Sequence, residues 1–435
     1  MREPETACID AVTHDGKGIA RLPGKTVFVA GALEGEEVRF RRRKKRKNYD
    51  EAELLEVLSA SPQRIEPHCA VSGICGGCSL QHIDDEAQRE IKQQALRDAL
   101  ERIGKVEPAR WLPPIHDSPW NYRRRARLAV KDVAGKGRVL VGFRERHAPF
   151  ITDMHRCEVL APPLDSLIDP LSEMIGRLSI RARLPQIEIA VADNAISLVF
   201  RVLDPPDDPD LEHLRDFGKE HDLRILLQPG GLDSVSLLQP EGPLPALHYT
   251  LPDHDVVIEF ETTDFVQVNA AVNRRMVSRA LELLQPKEDD RVLDLFCGIG
   301  NFSLPLARSC GHVMGVEGES PLVERARANA RLNDIDNAEF RCADLSRIDG
   351  SERWLGEGWT GLLLDPARSG AIEVVRHIGR IEPSRIVYVS CHPGTLARDL
   401  NALVCEHGYE LEAAGIIDMF PHTGHVESIA LISKK

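Results

Sequence analysis

The sequence predicts a multidomain α/β protein in three segments, and three observations carry that expectation. Short alternating apolar runs broken by glycines fill the first 60 residues, a cysteine-containing stretch of mixed pattern follows, and after Phe260 apolar strands alternate with helices. The expected segments are 1-60, a small antiparallel, OB-like β-barrel; 61-256, a central α+β domain; and 257-435, a Rossmann-like domain with a parallel sheet covered by helices. At 435 residues the chain is too long for one ordinary core.

In the first segment, strand-like runs at 26–29 and 37–40 are separated by Gly16, Gly18, Gly24, Gly31 and Gly35. The run around Val38 continues into Arg39, Arg41, Arg42, Arg43, Lys44, Lys45, Arg46 and Lys47, with Phe40 and Tyr49 nearby. Basic runs are often only solvated surface, but one on a small barrel suits a phosphate backbone, even in a chain of net charge -13. Arg123, Arg124, Arg125 and Arg127 form a second basic group that extends such a path. No stretch reaches the roughly 18 apolar residues of a membrane span, so no membrane partner, reduced thiols, a cytoplasmic location and a monomer are expected.

The middle segment pairs a helical pattern over 84–103 with strand-like runs at 127–130, 187–191 and 196–202. It also holds Cys69, Cys75 and Cys78, spaced C-x5-C-x2-C, with glycines that let the backbone wrap three thiolates around one centre. Cys157 is the best fourth ligand, because the other cysteines lie in the barrel or on elements of the third segment. Three close cysteines with one distant fit a [4Fe-4S] cluster better than structural zinc, which takes two separated pairs. Three unconnected buried thiols are the bland alternative.

In the third segment, "RVLDLFCGIGNFSLPLA" reads as a buried strand, a glycine turn and a helix start. Ser303 stands where a dinucleotide fingerprint has its third glycine, so the cradle suits S-adenosylmethionine better than a pyrophosphate. Asp294, Glu317, Asp344 and Asp365 fall at or near successive strand ends; Glu317 is placed for the ribose hydroxyls and Asp344 for the adenine edge. A strand over 385–390 delivers Cys391 at the sheet's ligand-binding edge. A thiolate there can add to carbon 6 of uracil and make carbon 5 nucleophilic enough to take a methyl group. Glu427 is the candidate base for the carbon 5 proton, with His422 and His425 as alternatives.

The segment "HDGKGIARLPGKTVFVAGALEGE" with its basic run resembles a TRAM domain, and across the whole chain the motifs resemble the RNA 5-methyluridine methyltransferases. The resemblance is to the branch that modifies 23S ribosomal RNA and carries both a TRAM domain and an iron-sulfur cluster. It implies an enzyme with S-adenosylmethionine and [4Fe-4S] as cofactors and ribosomal RNA as substrate. It further implies Cys391 in "SCHPGTLARD" as nucleophile, Glu427 as base, and Cys69, Cys75, Cys78 and Cys157 on the cluster. Gln267 in "DFVQVN", Phe296, Asn301, Glu317, Asp344 and Asp365 would line the S-adenosylmethionine site. The sequence departs from the family at His392, where the loop after the nucleophile usually has asparagine. The alternatives are the same chemistry on a uridine of tRNA or another RNA, and, in a different class, an iron-sulfur oxidoreductase.

Overall fold

The computed structural model describes residues 3–434; Met1, Arg2 and Lys435, at the outer limits of the first and last expected segments, lie outside the described residues. In the first segment, β1 (Glu5–Cys8), β2 (Ala11–Val12), β3 (Lys17–Leu22), β4 (Lys25–Ala30), β5 (Glu37–Lys45) and β6 (Tyr49–Ser59) form a sheet in the order β1-β5-β6-β4-β3-β2. β1 and β2 are successive stretches of one bent strand, so the two edges meet and the sheet curls into a barrel. Ile9 N–H donates to the Glu36 carbonyl at 2.8 Å on one side, and Asp10 N–H to the Ile19 carbonyl at 2.8 Å on the other. Strand alternation turns Ala20, Val27, Val29, Val38 and Phe40 inward. The barrel is not wholly antiparallel as expected: β4 and β6 run parallel because β5 crosses between them in the chain.

α1 (Asp85–Ala99), extended by a π turn over Leu100–Gly104, fills the expected helical stretch. Asp84 starts it by accepting hydrogen bonds from the N–H groups of Glu86 and Ala87. Although α1 and the short β7 (Arg110–Trp111) precede the middle sheet in the chain, both pack on the carboxyl-terminal sheet. The middle sheet comes from β8 (Arg125–Val133) and β9 (Arg138–Gly142), then, after α2 (Ile168–Arg177), β10 (Gln186–Val191) and β11 (Ile196–Arg201). α3 (Asp208–Glu220) crosses over to β12 (Leu223–Gln228), and β13 (Ser236–Gln239) ends it, in the order β13-β12-β11-β10-β8-β9. The hairpin β14 (Leu247–Leu251) and β15 (Val256–Phe260) leads onward, held by the buried side chains of Asn329 and Asn333, which bond to the backbone of Glu259 and Val257.

The last segment contains α4 (Ala270–Leu284), β16 (Arg291–Leu295), α5 (Ser303–Ala307), β17 (His312–Glu317), α6 (Ser320–Leu332), β18 (Ala338–Cys342) and β19 (Gly361–Leu364). It continues through α7 (Ile372–Arg376), α8 (Ile378–Ile381), β20 (Arg385–Ser390), α9 (Pro393–Asn401), β21 (Tyr409–Ile417) and β22 (Glu427–Lys434). The sheet order is β18-β17-β16-β19-β20-β22-β21-β7. Its first five strands are parallel, as expected from the alternation of strand and helix, but β22 inserts antiparallel between β20 and β21. One apolar core, including Leu128, Leu171, Ile258 and Val292, is continuous from the middle segment into the last.

Candidate active site

β16 and β19 flank the point where the strand order reverses, and open α/β sheets bind ligands beyond their strand ends at such a point. The turn after β16 holds Phe296, Gly298 and Gly300 at φ of 66°, 54° and 98°. A Cβ on Gly298 would meet nothing within 4 Å, so the backbone there faces open space. That space is a cleft of about 510 Å³, lined by Gln267, Phe296, Asn301, Glu317 and Asp365 among others. Glu317 braces the glycine turn: its carboxylate accepts from Gly298 N–H at 3.0 Å and Gly318 N–H at 2.6 Å. A carboxylate has further lone pairs, which leaves capacity for a diol.

Asp344 does not line the cleft. It is exposed on the loop after β18, where it accepts from Ser346 N–H and Oγ at 3.0 and 2.6 Å. Asp294 also points elsewhere: it is buried beneath the turn on the Ser303 hydroxyl, and desolvation pushes its carboxyl up to about 7. The sequence reading missed Tyr249 and Asn273, which fix the Asn301 amide through bonds of 2.9 and 3.0 Å. The signal for Asn273 was an amide on the buried face of an amphipathic helix, four residues after the Asn269 cap.

Cys391 follows the last residue of β20, and Glu427 opens β22. Ser390 pairs with Ser428 in this antiparallel ladder, so the next step sets Cys391 beside Glu427. Glu427 is 8 % exposed; desolvation first, then the neighbouring Asp365, pushes its carboxyl up to about 8. Burial also raises the Cys391 thiol, with Glu427 and Asp365 adding to the effect and Arg368 opposing it. Asp365 itself is pushed up to about 7 by desolvation. His392 begins α9 as its N-cap: Nδ1 accepts from Thr395 N–H at 3.2 Å. An asparagine in that place would use its side-chain oxygen in the same way.

Cys391 and Arg368 also line a second cleft of about 860 Å³, to which every segment contributes. His14 and Asp15 come from the barrel, Gly76 and Gly77 from the cysteine loop, Arg123, Arg144 and Arg146 from the middle segment, and His425 from the loop before β22. His425 receives a hydrogen bond from Arg368 at 3.1 Å. His422 is remote from this chemistry: it lines neither cleft, is 1 % exposed, stacks on Trp120 at 4.1 Å and bonds to Gln88, and burial drives its ring down to about 4.

The basic groups are less free than the sequence implies. Arg39, Arg42, Arg43, Lys44 and Arg46 all pair with carboxylates, chiefly Asp50, Glu51, Glu53 and Glu56 on the adjacent β6. Arg41, Lys45 and Lys47 have no ion-pair partner among the described residues. Arg124 is held by Asp193, Arg127 by Glu188 and Arg125 by the Thr262 carbonyl, so of the second group only Arg123 reaches a cleft.

Cys69, Cys75, Cys78 and Cys157 line one small cavity with Ser72, Phe143, Met154 and Val159. Among the described residues no group of three or more His, Cys, Asp or Glu is disposed to hold a metal ion. Desolvation pushes the Cys78 and Cys157 thiols up to about 11 and about 12. The cysteine loop is tied to the middle segment through Gly76 N–H to the Arg144 carbonyl at 2.8 Å. It is tied to the loop before β22 through Ser79 and Leu80 N–H to the His422 carbonyl at 2.7 and 3.0 Å.

Glycine cradle, strand-end carboxylates and a cysteine on one sheet edge define an S-adenosylmethionine-dependent methyltransferase. The model for tRNA (uracil-5-)-methyltransferases matches residues 246–351 and 358–435, and the TRAM domain model matches residues 5–55. The chain is 49% identical over its whole length to the 23S rRNA (uracil(1939)-C(5))-methyltransferase RlmD of Alkalilimnicola ehrlichii, covering 97% of that protein. It is 48% identical to the RlmD of Methylococcus capsulatus over 99% of the chain and 97% of that protein. The solved structure of Pyrococcus abyssi tRNA (uracil-54, C5)-methyltransferase in complex with S-adenosyl-L-homocysteine superposes with a TM-score of 0.76 at 25% identity, covering 98% of this chain and all of that one. The chain belongs to the RlmD family of RNA uracil-C5 methyltransferases.

Proposed function

We propose that the chain methylates carbon 5 of a uridine in 23S ribosomal RNA through a covalent bond to Cys391, as a monomer in the cytoplasm. One observation carries this reading: Cys391 is shared by the glycine-cradled cleft and the arginine-lined cleft, so cofactor and a base on an RNA strand meet at its sulfur.

S-adenosylmethionine supplies an electrophilic methyl group, and Gln267, Phe296, Asn301, Glu317 and Asp365 are the residues that would hold it. The target uridine leaves its stack and enters between Arg123, Arg368 and His425. The Cys391 thiolate forms a bond to carbon 6, and the displaced electron pair becomes an enolate that makes carbon 5 nucleophilic. Carbon 5 would form its bond to the methyl carbon as the methyl–sulfur bond breaks, with S-adenosylhomocysteine as the leaving group. Glu427 then removes the carbon 5 proton, the double bond re-forms and the carbon–sulfur bond breaks, returning the thiolate.

The four cysteines are the ligands of a [4Fe-4S] cluster in this reading. Four thiols around the wall of a cavity suit a cubane, whose irons stand apart, better than a single ion. Anaerobic purification with iron and acid-labile sulfide assays tests this; stoichiometric zinc alone would sink it.

The central experiment offers the protein 5-fluorouridine-substituted ribosomal RNA with S-adenosylmethionine. Fluorine cannot leave as a proton does, so a denaturation-resistant protein–RNA adduct is expected. Its absence, or its persistence in Cys391→Ala, would overturn the mechanism.

A further inference from the structure

α1 buries a polar pair that helix amphipathicity alone does not explain. Gln88 and Lys92, one turn apart on its inner face, are 2 % and 0 % exposed. Lysine is almost never buried so completely without a partner. Lys92 Nζ donates to Asp418 Oδ1 at 2.6 Å and to the Phe420 carbonyl at 2.9 Å. Gln88 accepts from His422 N–H at 3.0 Å and lies 3.2 Å from His422 Nδ1. One helix face thus grips residues 418, 420 and 422 of the loop that runs from the end of β21 to Glu427 at the start of β22.

The charges around Glu427 give this grip a second consequence. Asp365 beyond β19, Cys391 beyond β20 and Asp418 beyond β21 all surround it with groups that are neutral or negative. Lys92 is the cation among the groups acting on Glu427, while Arg368 acts on Cys391. A buried carboxyl can serve as a base only in its charged form, and a nearby cation favours that form.

We propose that Lys92 is a positioning residue for the proton-abstraction step, fixing the loop that presents Glu427 and neutralising Asp418, whose charge, left unpaired, would hold this carboxyl protonated. It lines neither cleft and acts through Asp418 and the Phe420 carbonyl. This rests on the assignment of Glu427 as base.

The test uses the full-length protein, ribosomal RNA tritiated at uridine carbon 5, and S-adenosylmethionine. Tritium release reads elimination, and a denaturation-resistant adduct on unfluorinated RNA reads its stalling. In Lys92→Met the adduct accumulates several-fold over the parent, and the pH midpoint of tritium release rises by about one unit, because two carboxyl groups and no cation now face Glu427. The double variant Lys92→Met, Asp418→Asn leaves no unpaired buried charge and keeps the fold if the single variant does not. There the midpoint returns toward the parent's while the untethered loop still accumulates adduct. A double variant with the parent's adduct level, or a single variant that slows every step equally at an unmoved midpoint, would overturn the proposal. Glu427→Gln is the control: it traps adduct at every pH if Glu427 is the base, and no trapping there sinks that assignment instead.

Discussion

Ser390 and Ser428 pair across β20 and β22, and the ladder's next step brings the Cys391 sulfur and the Glu427 carboxyl to the same end of the sheet. Cys391 and Glu427, 36 positions apart in sequence, therefore meet through adjacent antiparallel strands. Their relative placement is fixed by strand register, which one face buried on a core holds firmly.

Elimination should rise with pH. Glu427 must be ionised to accept a proton, and burial, with Asp365 beside it, pushes its carboxyl up to about 8. The rate of tritium release from carbon 5 is expected to climb between pH 7 and 9 and then level off. A rate already flat from pH 6 would show that another group is the base.

Glu317→Ala should weaken S-adenosylmethionine binding roughly ten- to a hundredfold, as expected for losing hydrogen bonds to a charged group. It also frees the N–H of Gly298, which the carboxylate now holds. Calorimetry gives the affinity directly. Asp344→Ala should change it by less than about threefold, because that side chain is turned to Ser346 outside the cleft.

His392→Asn should leave both stability and the pH-rate profile close to the parent, since asparagine can accept the Thr395 N–H that His392 Nδ1 accepts. His392→Ala should cost about 1 kcal/mol in thermal or urea unfolding. A pH profile that moves in His392→Asn would assign the imidazole to thiolate activation instead.

Gly424→Ala should loosen the barrel from the methyltransferase sheet. The added methyl would stand 2.8 Å from the Asp15 Cα, a backbone atom that cannot swing aside. Limited proteolysis near residue 60 should speed up and RNA affinity should fall, with S-adenosylmethionine binding retained.

Replacing Arg41, Lys45 and Lys47 together should lower the salt slope of RNA binding by up to roughly 2, because these cations have no carboxylate partner among the described residues. Arg42→Ala should instead destabilise the barrel, since Arg42 bonds both Glu5 and Asp50.

The parallel strands, the glycine turn and the strand-end position of Cys391 were legible in the sequence because each leaves a local pattern: an apolar run, a turn residue, a cysteine just past a strand. The turn of Asp344 onto Ser346 was not legible, because a two-residue side-chain turn in the loop after β18 leaves no mark that strand-end reasoning registers. The basic stripe looked free because its neutralising acids belong to the next strand, and pairing across a sheet is invisible until register is known. The burial of Gln88 and Lys92 was hidden for a similar reason: on a helix of otherwise ordinary amphipathic pattern, nothing local says that a lysine faces inward.

The insertion of β22 between β20 and β21 bears on how the protein is made. A ribosome synthesises β20 and β21 before β22, so a nascent chain that has reached residue 417 holds two strands with a gap where their common neighbour belongs. Until the next stretch emerges, both carry unpaired edges, the kind of intermediate that slows folding and invites aggregation. Glu427 arrives in that closing strand. Completion of the sheet and the arrival of this carboxyl beside Cys391 are therefore one event in the making of the chain.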